Sequence, residues 1–445
     1  MTTLSSNAND ANLHMCADWR RKAMTKLMRR LSSAVFVAAT IFSAAAQAQE
    51  KTTITFLADE EATYKPVIEA FEKLHPDIKV VFQLVPWNDL NAAVESRVGQ
   101  GDTGIDVILT DTPRIPAFAS KGYLLDVSER AGAIKAANPN PTDLDQVSYD
   151  GKVYAYPMWT STQLLFYNRK LLKSAGIEFP SGDPSKRLTW DRLLEKAAAA
   201  QKAGAKWGVQ FQQPDSYYQL QMLFESAGAG PGLKGDGLME SDIASNGWVK
   251  TAQWYSDLFS KGISPRGVTP DQTTDQFING EVAFMIGGTY PMGRYNAAND
   301  LDYGVAPVPY FKDGKPVTPT GSLALSLNPH SQHIDAARAF VEFVSLSAEG
   351  NYLTVSVDPI IPTNAGAFKT YAQKLAAETE KIGPAMDIIN YELQNTAVGR
   401  PRTIGYVTFE TVMIKAFGDI RNGADVSDTL KAADQQLTRQ LSRLR

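Results

Sequence analysis

The chain has 445 residues, 44 Lys+Arg against 48 Asp+Glu, 44% hydrophobic residues and one cysteine. That composition excludes a disordered, collagen-like or disulfide-stapled chain. The length exceeds what one core needs, and at about 100 to 200 residues per domain it implies two lobes or more.

The first segment reads as a leader. Arg20, Arg21, Lys22, Lys26, Arg29 and Arg30 precede an apolar run from Leu31 to Ala46, followed by Ala46-Gln47-Ala48. Positive, then apolar, then small-x-small is the pattern of a secretory signal peptide cleaved after Ala48. The run is shorter than the roughly 20 residues that span a bilayer, which disfavours an anchor. A compact signal also begins at Met24, so residues 1–23 read as an upstream extension. Cleavage leaves 38 basic against 46 acidic residues, a net charge of −8. Such a surface repels phosphate backbones, and no nucleic-acid partner is expected. Cys16 departs with the leader and no cysteine follows the apolar run to accept a lipid. The expectation is a periplasmic protein that is not a lipoprotein. His75, His330 and His333 remain without a clustered third ligand, so neither a metal nor a cofactor is expected.

From Thr52 the hydrophobic period switches repeatedly. Thr52 to Leu57 reads as a strand, Val67, Ile68, Phe71 and Leu74 as a helical face, and Ile78 to Leu84 as an alternating strand. Leu90, Val94 and Val98 mark a second helix. Ile105 to Thr110 is apolar almost throughout, which suggests a parallel sheet covered on both faces. Leu164 to Asn168 and Trp207 to Phe211 read as strands around a helix from Trp190 capped by Thr189. A helix through Trp248, Ala252, Tyr255 and Phe259 follows. Val282 to Ile286 is a buried strand ending in Gly287-Gly288. The first pattern resumes with a strand at Leu323 to Leu327 and a helix at Asp335 to Leu346, and Val407 to Leu444 is mostly helical.

Ligands of open α/β sheets bind beyond the carboxyl ends of the strands. Those ends carry Asp59, Glu60 and Glu61, then Trp87, then Asp111. No nucleophile elbow, zinc-binding H-E-x-x-H or dinucleotide fingerprint is present. The acids admit two readings, a secreted glycoside hydrolase with a carboxyl pair and a receptor that hydrogen-bonds sugar hydroxyls. Aromatics favour carbohydrate in either case, because a pyranose packs its C–H face on a ring while its hydroxyls need polar partners. Trp87, Trp159 and Tyr290 lie beside strand ends or lobe crossings and are the candidate platforms.

Several segments together resemble the extracellular solute-binding proteins of carbohydrate ABC transporters, the family that includes maltose-binding protein. They are Ile105 to Asp111 with Lys121 to Asp126, Gly151 to Pro157, Leu164 to Asn168, Thr189-Trp190-Asp191, Asn279 to Met285, Tyr303 to Pro309, and Ala337 to Val344 with Ile361-Pro362. The resemblance implies an α/β fold of the type II periplasmic-binding-protein kind: two lobes, each a sheet flanked by helices, joined by a multi-segment hinge. The N-terminal lobe would comprise residues 49–158 and 309–360, and the C-terminal lobe 159–308 and 361–445. It also implies a reversible carbohydrate receptor, monomeric, that delivers its cargo to permease subunits driven by a separate ATPase. Matched position by position, the binding residues would be Glu60, Glu61, Trp87, Asp111, Trp159, Ser161, Thr162, Gln213, Asp215, Gly288, Tyr290, Gly321, Ser322 and Arg402. Two acids replace the family's lysine in the first loop, and Ser161 replaces a hinge glutamate. A polyol, a polyamine or an anionic sugar on the same fold is therefore an alternative, with acidic Glu60 and Glu61 favouring a cation or a neutral polyol and Arg402 an anion.

Overall fold

The computed structural model describes residues 51–444. The leader, Cys16 and the cleavage site lie outside the described residues. The chain divides into two units, Met1–Thr52 and Thr53–Arg445, and apart from Thr52, the first residue of its strand, both principal sheets are built within the second.

The first sheet has six strands. In spatial order they are Ile361–Pro362, Tyr156–Thr160, Ser322–Leu327, Val107–Asp111, Thr52–Ala58 and Ile78–Leu84. Val107–Asp111 is buried along its whole length, as its unbroken apolar sequence requires. It runs parallel to the first strand, pairing Phe56 with Val107. The sheet is nevertheless mixed. Ser322–Leu327 enters antiparallel between Val107–Asp111 and Tyr156–Thr160, with Leu325 opposite Leu109 and Tyr156. The expectation of a parallel sheet came from its first three strands alone, which cannot reveal a partner arriving some two hundred residues later.

The second sheet orders Tyr303–Ala306, Gln163–Asn168, Val282–Gly288 and Trp207–Phe211. Side chains alternate across it as the two-residue period demands. Leu164, Phe166 and Met285 join the hydrophobic cluster of the first sheet, whereas Leu165, Tyr167, Phe284 and Ile286 face a second cluster with Trp190, Trp248 and Phe417. Trp190–Lys202 begins at Thr189, whose hydroxyl accepts from the Arg192 amide. The C-terminal helices Tyr406–Arg421 and Val426–Leu441 pack on each other and on Asn246–Ser260, closing the second cluster.

Strand pairing moves the lobe crossings from their expected places. Trp159 and Thr160 still belong to the first sheet, and Ile361–Pro362 pairs with them rather than opening the second lobe. These residues are all buried or nearly so in the first sheet, and the hydrophobic pattern through them carries no break.

Candidate ligand-binding cleft

The polar end of Val107–Asp111 carries a buried ion cluster. Asp111 closes its strand, and Thr112–Arg114 turns at once into a 3-10 helix with Pro113 near its start, folding Arg114 back over the carboxylate. Arg400 reaches Asp111 from far along the chain. It follows the short strand Ala397–Gly399, which pairs in parallel with Thr318–Thr320. Its Nη1 donates to Asp111 Oδ2 at 2.7 Å and its Nη2 to Oδ1, a bidentate clamp. Arg114 Nε stands 3.5 Å from the same Oδ2, and its Nη2 lies 3.0 Å from Glu410 Oε2. Two guanidiniums thus face two carboxylates with no net charge. Burial alone would weaken the charge on Arg114, but Glu410 and Asp111 outweigh it and hold its pKa above the usual arginine value.

Aromatic faces flank the cluster. Arg114 lies 4.8 Å over the Trp87 ring, and Arg400 lies 5.1 Å over Tyr218 and 5.8 Å over Tyr406. The Tyr218 hydroxyl shares a 2.6 Å hydrogen bond with Ser161 Oγ, and that oxygen accepts from the Gly321 amide at 3.0 Å. Ser161 lies in the crossing between the two sheets, so this contact ties the crossing to both. Gly321 fits closely there: an added Cβ would stand 3.0 Å from Ser161 Oγ and 3.1 Å from the Tyr218 ring, so either side chain would have to shift by a few tenths of an ångström. Beside it Gln213 donates to the Tyr290 hydroxyl at 2.8 Å. Gly288 leaves room for the Tyr290 ring, which a Cβ would meet at 2.3 Å. Thr162 is fully buried and its hydroxyl has no hydrogen-bond partner among the described residues.

A second polar group sits where the first strand ends. Glu60 precedes the helix Glu61–Leu74, and Thr63 in its first turn contacts both Glu60 Oε2 at 3.3 Å and Asp358 Oδ2 at 3.1 Å. Desolvation first, then the charges of Asp59 and Asp358, raises the Glu60 pKa. Asp59 and Asp358 are likewise raised by desolvation.

The expected binding residues therefore fall into groups. Trp87 lies against Arg114, Asp111 is clamped by Arg400, Ser161 bonds Tyr218 and Gly321, and Gln213 bonds Tyr290, whose ring Gly288 admits; Thr162 follows Ser161 in the chain, and Glu60 stands at the end of the first strand. Glu61 is exposed on the same helix start. Ser322 pairs with Thr160 inside the sheet. Three residues differ from expectation. Trp159 is 5% exposed, stacks on Tyr64 at 5.7 Å and donates its indole N–H to Thr354, so it is a core residue and not an open platform. Asp215 is held by Arg421 through contacts of 2.7 and 2.6 Å. Arg402 is engaged by Asp145 and the Ser148 carbonyl, and the arginine that clamps Asp111 is Arg400, two residues earlier. Arg114, Tyr218, Tyr406, Glu410 and Asp358 were not anticipated. Arg400 and Arg402 share one Arg-Pro-Arg motif, and only their partners in the folded chain, Asp111 for one and Asp145 for the other, tell them apart.

Residues 57–350 match the family described as bacterial extracellular solute-binding protein. The chain belongs to this family. Among curated relatives of this solute-binding protein, the maltodextrin-binding protein of Bacillus subtilis is 26% identical over 69% of this chain and 73% of its own length. The multiple sugar-binding protein of Streptococcus mutans is 22% identical over 77% of this chain and 83% of its own. Among solved structures, the GacH receptor of Streptomyces glaucescens, described unliganded and with acarbose, superposes with a TM-score of 0.73 at 25% identity, covering 88% of this chain and 99% of that one. A substrate-binding protein of Listeria monocytogenes in complex with cycloalternan gives 0.75 at 21% identity, covering 88% of this chain and 99% of that one. The fold is that of type II periplasmic binding proteins, a sheet flanked by helices in each of two lobes. Among the described residues no helix is long and apolar enough to cross a membrane.

Proposed function

We propose that this protein is exported, released after Ala48, and serves as the periplasmic receptor of an ABC importer, capturing a carbohydrate between its lobes. The observation that carries the reading is the strip between the sheets. It holds the part-exposed rings of Trp87 and Tyr290 and the part-exposed amide of Gln213 together with the buried Tyr218–Ser161 pair, the combination that a ring with an apolar face and polar edge requires. The names of the family and of its sugar-binding relatives support it. Each lobe supplies part of the contact set, so ligand stabilises the closed arrangement by its differential affinity for it. The permease and its ATPase are separate chains that recognise the closed rim, and the receptor works as a monomer without chemical conversion of its cargo.

The test is a thermal-shift screen of protein beginning at Gln49 against mono- and oligosaccharides, polyols and amines. The expected result is a concentration-dependent rise in melting temperature with a saccharide, reduced by at least half in Tyr290→Ala. Chromatography should return the sugar unchanged. A saccharide consumed by the pure protein, or a panel in which only compounds without a sugar ring bind, refutes the reading.

A further inference from the structure

The acids at the first-strand end lack the cation that such a cluster needs. Glu60 Oε2 and Asp358 Oδ2 both turn to the Thr63 hydroxyl, which is 2% exposed. A hydroxyl has one proton and can donate to only one acceptor at a time. One carboxylate oxygen therefore receives no proton from Thr63, and at exposed Glu60 solvent alone meets it. None of Asp59, Glu60 and Asp358 forms an ion pair among the described residues. The neighbouring cations are engaged elsewhere: Arg114 with Asp111 and Glu410, and Arg294 with Asp275 at 2.6 Å.

A second observation points into the same place. The Tyr64 hydroxyl, one turn along the helix from Glu60, is buried with no hydrogen-bond partner, in a side chain only 1% exposed. Its ring is fixed by stacking on Trp159 at 5.7 Å and Phe82 at 5.8 Å, so it cannot swing out to find water. After burial, the charges of Asp59 and Glu60 are what bear on this hydroxyl. An unmet buried polar group of this kind costs about 1 to 3 kcal/mol, and it is met when a donor or acceptor arrives. No group of three or more His, Cys, Asp or Glu side chains among the described residues could hold a metal ion. An ammonium brings three donors on one centre, enough for two carboxylates and a phenol oxygen. From the second lobe, Asp271 at the start of Pro270–Ile278 adds its negative field at Glu60.

We propose that the cargo is a polyhydroxylated ring bearing a protonated nitrogen, an amino sugar or aminocyclitol, whose nitrogen seats between Glu60 and Asp358 against the Tyr64 hydroxyl. This rests on the carbohydrate-receptor reading and narrows it. The two are separable by matched probes. Protein beginning at Gln49 is titrated calorimetrically at pH 7 with glucosamine, galactosamine, mannosamine and deoxynojirimycin, each beside its neutral parent sugar. At least one amine should bind about tenfold or more tightly than its parent, the typical worth of a charge-assisted hydrogen bond. The preference should collapse in Glu60→Gln and in Asp358→Asn, with ligand-free melting temperatures no lower than that of the unaltered protein. Neutral sugars binding as tightly as their amines, or a preference that survives both substitutions, overturns this inference and leaves the receptor reading standing. A panel with no binder, amine or neutral, overturns both.

Discussion

Arg400→Met tests whether the buried ion cluster holds the two halves of the cleft together. Arg400 is 8% exposed and Asp111 1%, so removing the guanidinium strands a carboxylate that water cannot reach. What remains for Asp111 is Arg114 Nε at 3.5 Å, a contact shared with the pull of Glu410. Breaking one partner of a buried pair costs about 3–5 kcal/mol. The described residues unfold with an entropy of roughly 0.8 kcal/mol/K at about 2.1 cal/mol/K each, so the melting temperature should fall by about 4–6 °C. Differential scanning calorimetry on ligand-free protein measures it. Asp111→Asn combined with Arg400→Met removes both charges and should recover half or more of that loss, because the remaining Arg114 and Glu410 still form a pair at 3.0 Å. A single variant melting within 1 °C of the parent, or a double variant that loses the sum of the singles, would refute the argument.

Asp143 gives a pH test. It is 5% exposed, and desolvation pushes its pKa up from 3.8 to about 7. The native state therefore holds this proton more tightly than the unfolded chain, and stability is lost as pH rises from about 4 through about 7. Asp143→Asn should gain up to about 4 kcal/mol at pH 8 and almost nothing at pH 4, read from urea denaturation midpoints at the two pH values. Gly314→Ala should fold poorly, because its Cβ would stand 1.8 Å from the Ser226 carbonyl oxygen, and loss of soluble protein or a melting temperature lowered by several degrees is the readout. Tyr218→Phe removes the 2.6 Å hydrogen bond to Ser161 while keeping the ring over Arg400. It should lower stability by about 1 kcal/mol and weaken the best ligand of the screen about fivefold by calorimetry.

Local periodicity made most elements readable. Trp207–Phe211 and Val282–Gly288 fall where their apolar runs place them, and the Thr189 cap fixes the start of its helix. The mixed first sheet was not readable in that way, because whether Ser322–Leu327 lies parallel or antiparallel depends on a partner remote in sequence. The site divides along the same line. Asp111, Gln213 and Tyr290 are visible as polar or aromatic groups at the ends of buried strands. Arg400 follows Ala397–Gly399, a strand too short to show as an apolar run in the sequence, and only its pairing with Thr318–Thr320 carries Arg400 to Asp111. Trp159 misled because a tryptophan beside a crossing is the same letter whether its ring faces the gap or lies against Tyr64.

The late entry of Ser322–Leu327 also bears on the order of events during synthesis. Until that segment emerges, Val107–Asp111 and Tyr156–Thr160 have a vacant lane between them, and Leu109 and Tyr156 have no facing Leu325. Closing that lane must wait for a contact spanning more than two hundred residues, a slow step by its loop entropy. The middle of the first sheet in a nascent chain is thus filled only once about three quarters of the polypeptide has been made.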